Sequence, residues 1–221
     1  MHPAAESLLT SCVLMLAILL AGAKALFLFP IHHENRCRWD ALPWKSGDLL
    51  LCSLAGFQHD VLKFCFHCRV THVGLVVTAP GGHRFVWEAT RRGVQLIPIE
   101  EYGVPPRSVC LYRPLRGGPA LHARKLWDFV RAHVGRRYSH EYWRPVYNRL
   151  FPYLPLATPR RRRTRFCTDL AAETLGHVGV LNFEDDPRTP ADVIPADFTE
   201  EYENIPLVKP YEYGEEIMIA C

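Results

Sequence analysis

The chain has 221 residues, 48% hydrophobic and 22% charged, a balance that supplies a core and excludes intrinsic disorder. The formal net charge is only +3, and much of the excess sits in one run, Arg160, Arg161, Arg162, Arg163 and Arg165, so a general nucleic-acid surface is excluded and no nucleic-acid partner is expected. Eight cysteines fall well below the roughly 8–10% of a small disulfide scaffold, so reduced thiols are the expectation.

The first element is apolar. Residues 8–23 carry no charge, Lys24 follows, and a second apolar stretch over 25–29 ends at Pro30. Together they suffice to cross about 30 Å of hydrocarbon. Residues 1–30 are therefore expected to form a single transmembrane helix that anchors the protein to a membrane. The rival is a cleaved signal peptide, for which Ala23-Lys24-Ala25 offers a small-x-small site, although residues 1–7 contain Glu6 and no Lys or Arg. Lys24, Arg36, Arg38 and Lys45 all follow the apolar core, so a retained anchor places the remainder on the cytosolic side. Cleavage would instead release it into a lumen or the exterior.

Residues 31–44 read as a polar linker that closes on Pro43 and the turn Lys45-Ser46-Gly47-Asp48. A catalytic domain is expected over 45–200. Residues 49–54 form a short apolar run with the length of a buried strand. Two β-branched and aromatic runs, 70–77 and 84–90, flank the turn-forming sequence from Thr78 to His83 and predict a hairpin. Further strands are expected over 93–99 and 108–113. The period then changes: Leu121, Lys125, Leu126, Phe129, Val130, His133 and Val134 fall at helical spacings, and Gly135 ends the segment. Residues 138–165 read as a long connecting loop. A second helix is expected over 167–178, with Gly179 as its terminator. Residues 201–221 read as an acidic, Pro-containing tail.

Three residues in this layout carry chemistry together, although each has a bland reading alone: a packed cysteine, a satisfied strand histidine, a solvent-facing glutamate. Residues that face each other in an antiparallel hairpin have a constant index sum. For His72 and Glu88 that sum centres on Pro80, inside the predicted turn, which makes them cross-strand neighbours and lets the carboxylate orient the imidazole. Cys167 opens a helix, where the dipole and free N–H groups favour a negatively charged sulfur. Nucleophile, base and orienting group are all present.

Gly47-Asp48-Leu49-Leu50-Leu51, Thr71-His72-Val73-Gly74-Leu75-Val76, Val86-Trp87-Glu88-Ala89-Thr90 with Arg92-Gly93-Val94, Gly135-x-x-Tyr138 and Phe166-Cys167-Thr168-Asp169-Leu170 resemble, in that order, the circularly permuted NlpC-type papain-like cysteine hydrolases. These are the YiiX/YebB-like proteins, which have poxvirus members and distant relatives in the lecithin:retinol acyltransferase group. The resemblance implies an α+β fold, an antiparallel sheet or barrel packed on helices. It also implies Cys167 as nucleophile, His72 as base, Glu88 as orienting residue and Tyr138 in the substrate cleft. Ser139 stands where the family often has an acidic residue.

The expected activity is hydrolysis or transfer of an acyl group from an amide, ester or thioester through an acyl-enzyme. Peptide and lipid are the candidate substrates, and the membrane anchor favours lipid. The alternative is a catalytically inactive membrane-bound lipid-binding or interaction module on the same fold. One oxyanion donor is expected at the backbone N–H of Cys167; the sequence does not place the second. Cys65-Phe66-His67-Cys68 holds a single CxxC with no second pair at zinc spacing, so no metal or other cofactor is expected, and the segment reads as a connector. The run Arg160, Arg161, Arg162, Arg163 and Arg165, just before Cys167, is a candidate patch for anionic lipid.

Overall fold

The computed structural model describes residues 36–66, 68–103, 108–138, 147 and 164–220. The anchor expected over 1–30, nearly all of the loop expected over 138–165, and Arg160 to Arg163 lie outside the described residues. Among the described residues no helix is long and apolar enough to cross a membrane.

Leu49–Ser53 (β2) is buried at every position, which a strand sustains only with a neighbour on each side and a covered surface on each face. Its neighbours are His72–Thr78 (β3) and Val109–Arg113 (β6), both antiparallel. Arg84–Thr90 (β4) and Gly93–Pro98 (β5) extend the sheet beyond β3. Ile217–Ala220 (β11) and Arg36–Arg38 (β1) extend it beyond β6. The order of the seven-stranded sheet is thus β1-β11-β6-β2-β3-β4-β5. Two short ribbons stand apart: Leu115–Arg116 (β7) with Glu212–Tyr213 (β10), and Arg137–Tyr138 (β8) with Thr164–Arg165 (β9).

The expected α+β class stands, with a sheet that departs from expectation in two ways. It stays open, since β1 and β5 are outermost and do not pair with each other, so no barrel closes among the described residues. It is also mixed, because β1 runs parallel to β11. Both strands come from segments expected outside the domain. The polar linker supplies β1 and the buried Leu42 and Trp44, and the acidic tail supplies β10, β11 and the buried Tyr211 and Tyr213.

Ala123–His133 (α2) and Cys167–His177 (α3) cover one face of the sheet. There Leu126, Val130, Leu170, Ala171 and Leu175 join Val73, Leu75, Trp87 and Val94 in the larger core. The Trp87 indole N–H donates to Thr174 Oγ1 at 3.1 Å, fixing β4 against α3. The other face is a smaller core of Trp44, Leu50, Cys52, Val76, Val86, Cys110 and Tyr112.

Asp48, buried at the start of β2, joins three segments. Its carboxylate accepts from the N–H of Lys45 at 2.8 Å, the N–H of Leu115 at 3.0 Å and the Tyr112 hydroxyl at 2.8 Å. Burial pushes its pKa up to about 6 against the pull of those donors.

A third helix, Phe57–Phe66 (α1), occupies the connection between β2 and β3. Cys65 and Phe66 thus end a helix rather than belonging to a plain connector, while His67 lies outside the described residues. Cys68 is buried, and burial raises its thiol pKa to about 11.

Candidate active site

His72 opens β3 and Glu88 lies near the end of β4. The two do not face each other directly. The β3–β4 register pairs Leu75 with Trp87 and Thr78 with Arg84, so the hairpin centres on Gly81, one position later than the Pro80 expected. One step along from the Leu75–Trp87 pair, Gly74 faces Glu88, and His72 is Glu88's diagonal neighbour on the same sheet face.

The contact forms all the same, because Gly74 leaves its place empty. A Cβ at Gly74 would come within 2.8 Å of Val86 Cγ1 and 3.9 Å of Glu88 Oε2. Over that gap Glu88 Oε2 reaches His72 Nε2 at 2.7 Å. Gly74→Val is therefore expected to push the carboxylate off the imidazole. A misplacement of about 1 Å near reacting groups costs on the order of 10²-fold in rate, so turnover should fall by about that much while far-UV circular dichroism still reports a folded sheet. Unchanged turnover in a folded variant would show that Glu88 does not need the gap.

Glu88 is held on both oxygens. Gln95, its direct partner across β4 and β5, donates to Oε1 at 3.0 Å, and the Tyr102 hydroxyl donates to Oε2 at 3.2 Å. Tyr102 is itself stacked on Trp39, with ring centroids 5.5 Å apart. Burial alone would raise the Glu88 pKa, but the His72, Gln95 and Tyr102 donors outweigh it and hold the group below the ordinary glutamate value. Sequence reasoning missed both supporting residues. Gln95 was accessible to the same index-sum argument applied to the β4–β5 turn; Tyr102, beyond a short helical turn, left no such signal.

Cys167 is the first residue of α3. The Phe166 N–H donates to Asp169 Oδ1 at 2.8 Å and fixes the entry of the helix, and Thr168 Oγ1 donates to the Val193 carbonyl at 2.7 Å. Cys167 lies close enough to His72 for its sulfur to act on the charge of the imidazole. With Nε2 committed to Glu88, the nitrogen left for Cys167 is Nδ1. Burial opposes charging of His72, yet the sulfur on one side and Glu88 on the other win and raise its pKa well above the ordinary imidazole value. The structure thus places Cys167 and Glu88 both beside His72.

No protein-family model matches the sequence, and no curated protein does. Among solved structures the chain is similar to the metalloprotein YiiX of Escherichia coli O157:H7, with 17% sequence identity and a TM-score of 0.46 over 79% of this chain and 88% of that one. So distant a likeness assigns no chemistry. Among the described residues no three His, Cys, Asp or Glu side chains are grouped to hold a metal ion.

Cys167, His72 and Glu88 lie in the wall of a cavity of about 880 Å³. Its apolar lining includes Leu54, Leu62, Ile97, Phe166, Val193 and Ile194, and its polar lining includes Arg91, Arg92 and Glu101. Tyr138 also lines it. It sits in β8 with Arg165 of β9 as its Cα partner, and β9 leads through Phe166 into Cys167. All four residues singled out in the sequence therefore meet at one cavity. Of the arginine run, only the backbone of Arg165 is described.

Proposed function

We propose that this chain is a cysteine acyl hydrolase or acyltransferase of the permuted papain-like kind, with Cys167 as nucleophile, His72 as acid–base and Glu88 as the group that orients His72. The observation that carries this is His72 beside both Cys167 and Glu88 in the wall of a cavity with room for a small acyl group.

In the first step the Cys167 thiol proton passes to His72 as the sulfur attacks the carbonyl carbon and a C–S bond forms. The carbonyl electron pair moves onto oxygen and then returns, and the bond to the leaving group breaks. The leaving nitrogen, oxygen or sulfur takes the proton held on His72. In the second step water or an acceptor hydroxyl or amine gives its proton to His72 and attacks the thioester, freeing Cys167. Tyr138 contributes to substrate contact. The apolar lining suits a hydrocarbon acyl group, and the apolar segment over 8–29 supports work at a membrane surface, with lipid preferred over peptide and the arginine run before Cys167 as a contact for anionic lipid.

The full chain treated with p-nitrophenyl butyrate is expected to release one equivalent of nitrophenol in a burst and to carry one butyryl group, which peptide mapping places on Cys167. An adduct on another cysteine, or no adduct on an ester that the protein turns over, refutes the assignment.

A further inference from the structure

A second histidine faces the same cavity. His59, on α1, lines it together with Gln58 and Leu62 from the same helix and with Thr71, His72 and Cys167. Its side chain is half-buried, but Nδ1 is wholly buried and has no hydrogen-bond partner among the described residues. An orphaned buried polar atom in a native site calls for an explanation.

The explanation lies in which nitrogen carries the proton. Burial, followed by the nearby His72, Lys63 and Arg91, lowers the His59 pKa below the ordinary imidazole value, and Asp60 opposes this only weakly. The ring is thus neutral at physiological pH and bears a single N–H. A buried N–H without an acceptor is rarer and costlier than a buried lone pair without a donor. The proton therefore belongs on Nε2, the ring nitrogen that is not among the buried atoms without a partner. His72 and His59 are driven in opposite directions by their surroundings, one toward the charged acid–base form and the other toward a neutral donor.

We propose that His59 is the second oxyanion donor of this site, its Nε2–H meeting the acyl carbonyl oxygen while the backbone N–H of Cys167 meets it from α3. This rests on the acyl-transfer reading above. As sulfur attacks and the carbonyl electron pair moves onto oxygen, both N–H groups shorten their hydrogen bonds to that oxygen. His59 neither gives nor takes a proton, and the pair returns when the leaving group departs. A neutral donor suits this role because it stabilises the developing charge without forming an ion pair with the substrate's ground state.

The test compares two reactions of the same sulfur. Acylation by p-nitrophenyl butyrate develops an oxyanion, and alkylation by iodoacetamide does not. Removal of one oxyanion donor costs about 10²–10³-fold, so His59→Phe is expected to slow acylation by that factor while Cys167 alkylates at the wild-type rate. His59→Gln, which restores an N–H at similar reach, is expected to recover much of the loss. Should His59→Phe not fold, His59→Gln and His59→Ala make the same comparison. Acylation at the wild-type rate in folded His59→Phe overturns the proposal. So does an equal fall in alkylation, which would mean that His59 supports the sulfur or the fold. A wild-type Cys167 that alkylates but never acylates overturns the acyl-transfer reading itself and this inference with it.

Discussion

Cys167→Ala is expected to abolish both ester turnover and the acyl adduct, since Cys52, the other described cysteine beside His72, is fully buried and its Cys110 partner and burial raise its thiol pKa. His72→Ala should be nearly as severe, about 10²–10⁴-fold, because in the proposed reaction the same ring serves as acid and base. Glu88→Gln keeps hydrogen-bonding capacity and removes charge, so it should be milder than either. The three act in series, so Glu88→Gln added to His72→Ala should cost little more than His72→Ala alone. The pH profile gives an independent readout. Glu88 helps to raise the His72 pKa, and the imidazolium is lost on the alkaline side. Glu88→Gln should therefore move the alkaline limb of kcat/KM to lower pH. A limb that stays in place, or Cys167→Ala with wild-type turnover, would mean that the triad does not carry the reaction.

The largest effect on stability is expected at Arg113, on β6, which is only 1% exposed. Its guanidinium donates to the Phe198 carbonyl at 2.8 Å, the Gly214 carbonyl at 3.0 Å and Glu203 at 2.5 Å, and it lies 5.4 Å from the centre of the Tyr213 ring. It ties the sheet to the whole segment over 198–214. Arg113→Met fills the space but leaves two carbonyls and a carboxylate without their donor. Breaking a buried pair from one side costs about 3–5 kcal/mol, with the Glu203 share discounted because that side chain is 35% exposed. The urea midpoint should fall accordingly with an unchanged slope. A loss below about 1 kcal/mol would mean that water reaches these groups.

Much of the layout was legible in the sequence because single segments declared it. The buried run of β2, the alternation of β5 and the helical spacing up to His133 are local signals, and so is a helix that opens on Cys167. What could not be read depended on partners distant in the chain. Glu216 looks like part of an acidic tail, but it is buried, accepts from Arg69 at 3.1 Å and takes the Glu200 N–H at 2.8 Å. α1 has no clean apolar stripe, and its role as one wall of the cavity comes from what it packs over. The closeness of His72 and Glu88 was read from an index sum whose centre was off by one position. The error did little harm, because diagonal neighbours share a face and Gly74 clears the path between them.

The open sheet has a consequence for solubility. An unpaired edge strand is a template on which a second molecule can add a strand. β1 offers only three residues. β5 is longer, but the Val94 N–H already donates to the Arg136 carbonyl and its carbonyl accepts from the Gly135 N–H. Outward-facing backbone groups recur at every second residue, so Leu96 and Pro98 come next, and proline has no N–H to give. Leu96 is then the only β5 residue with both groups to offer at that edge among the described residues, too short a foothold for cross-β growth.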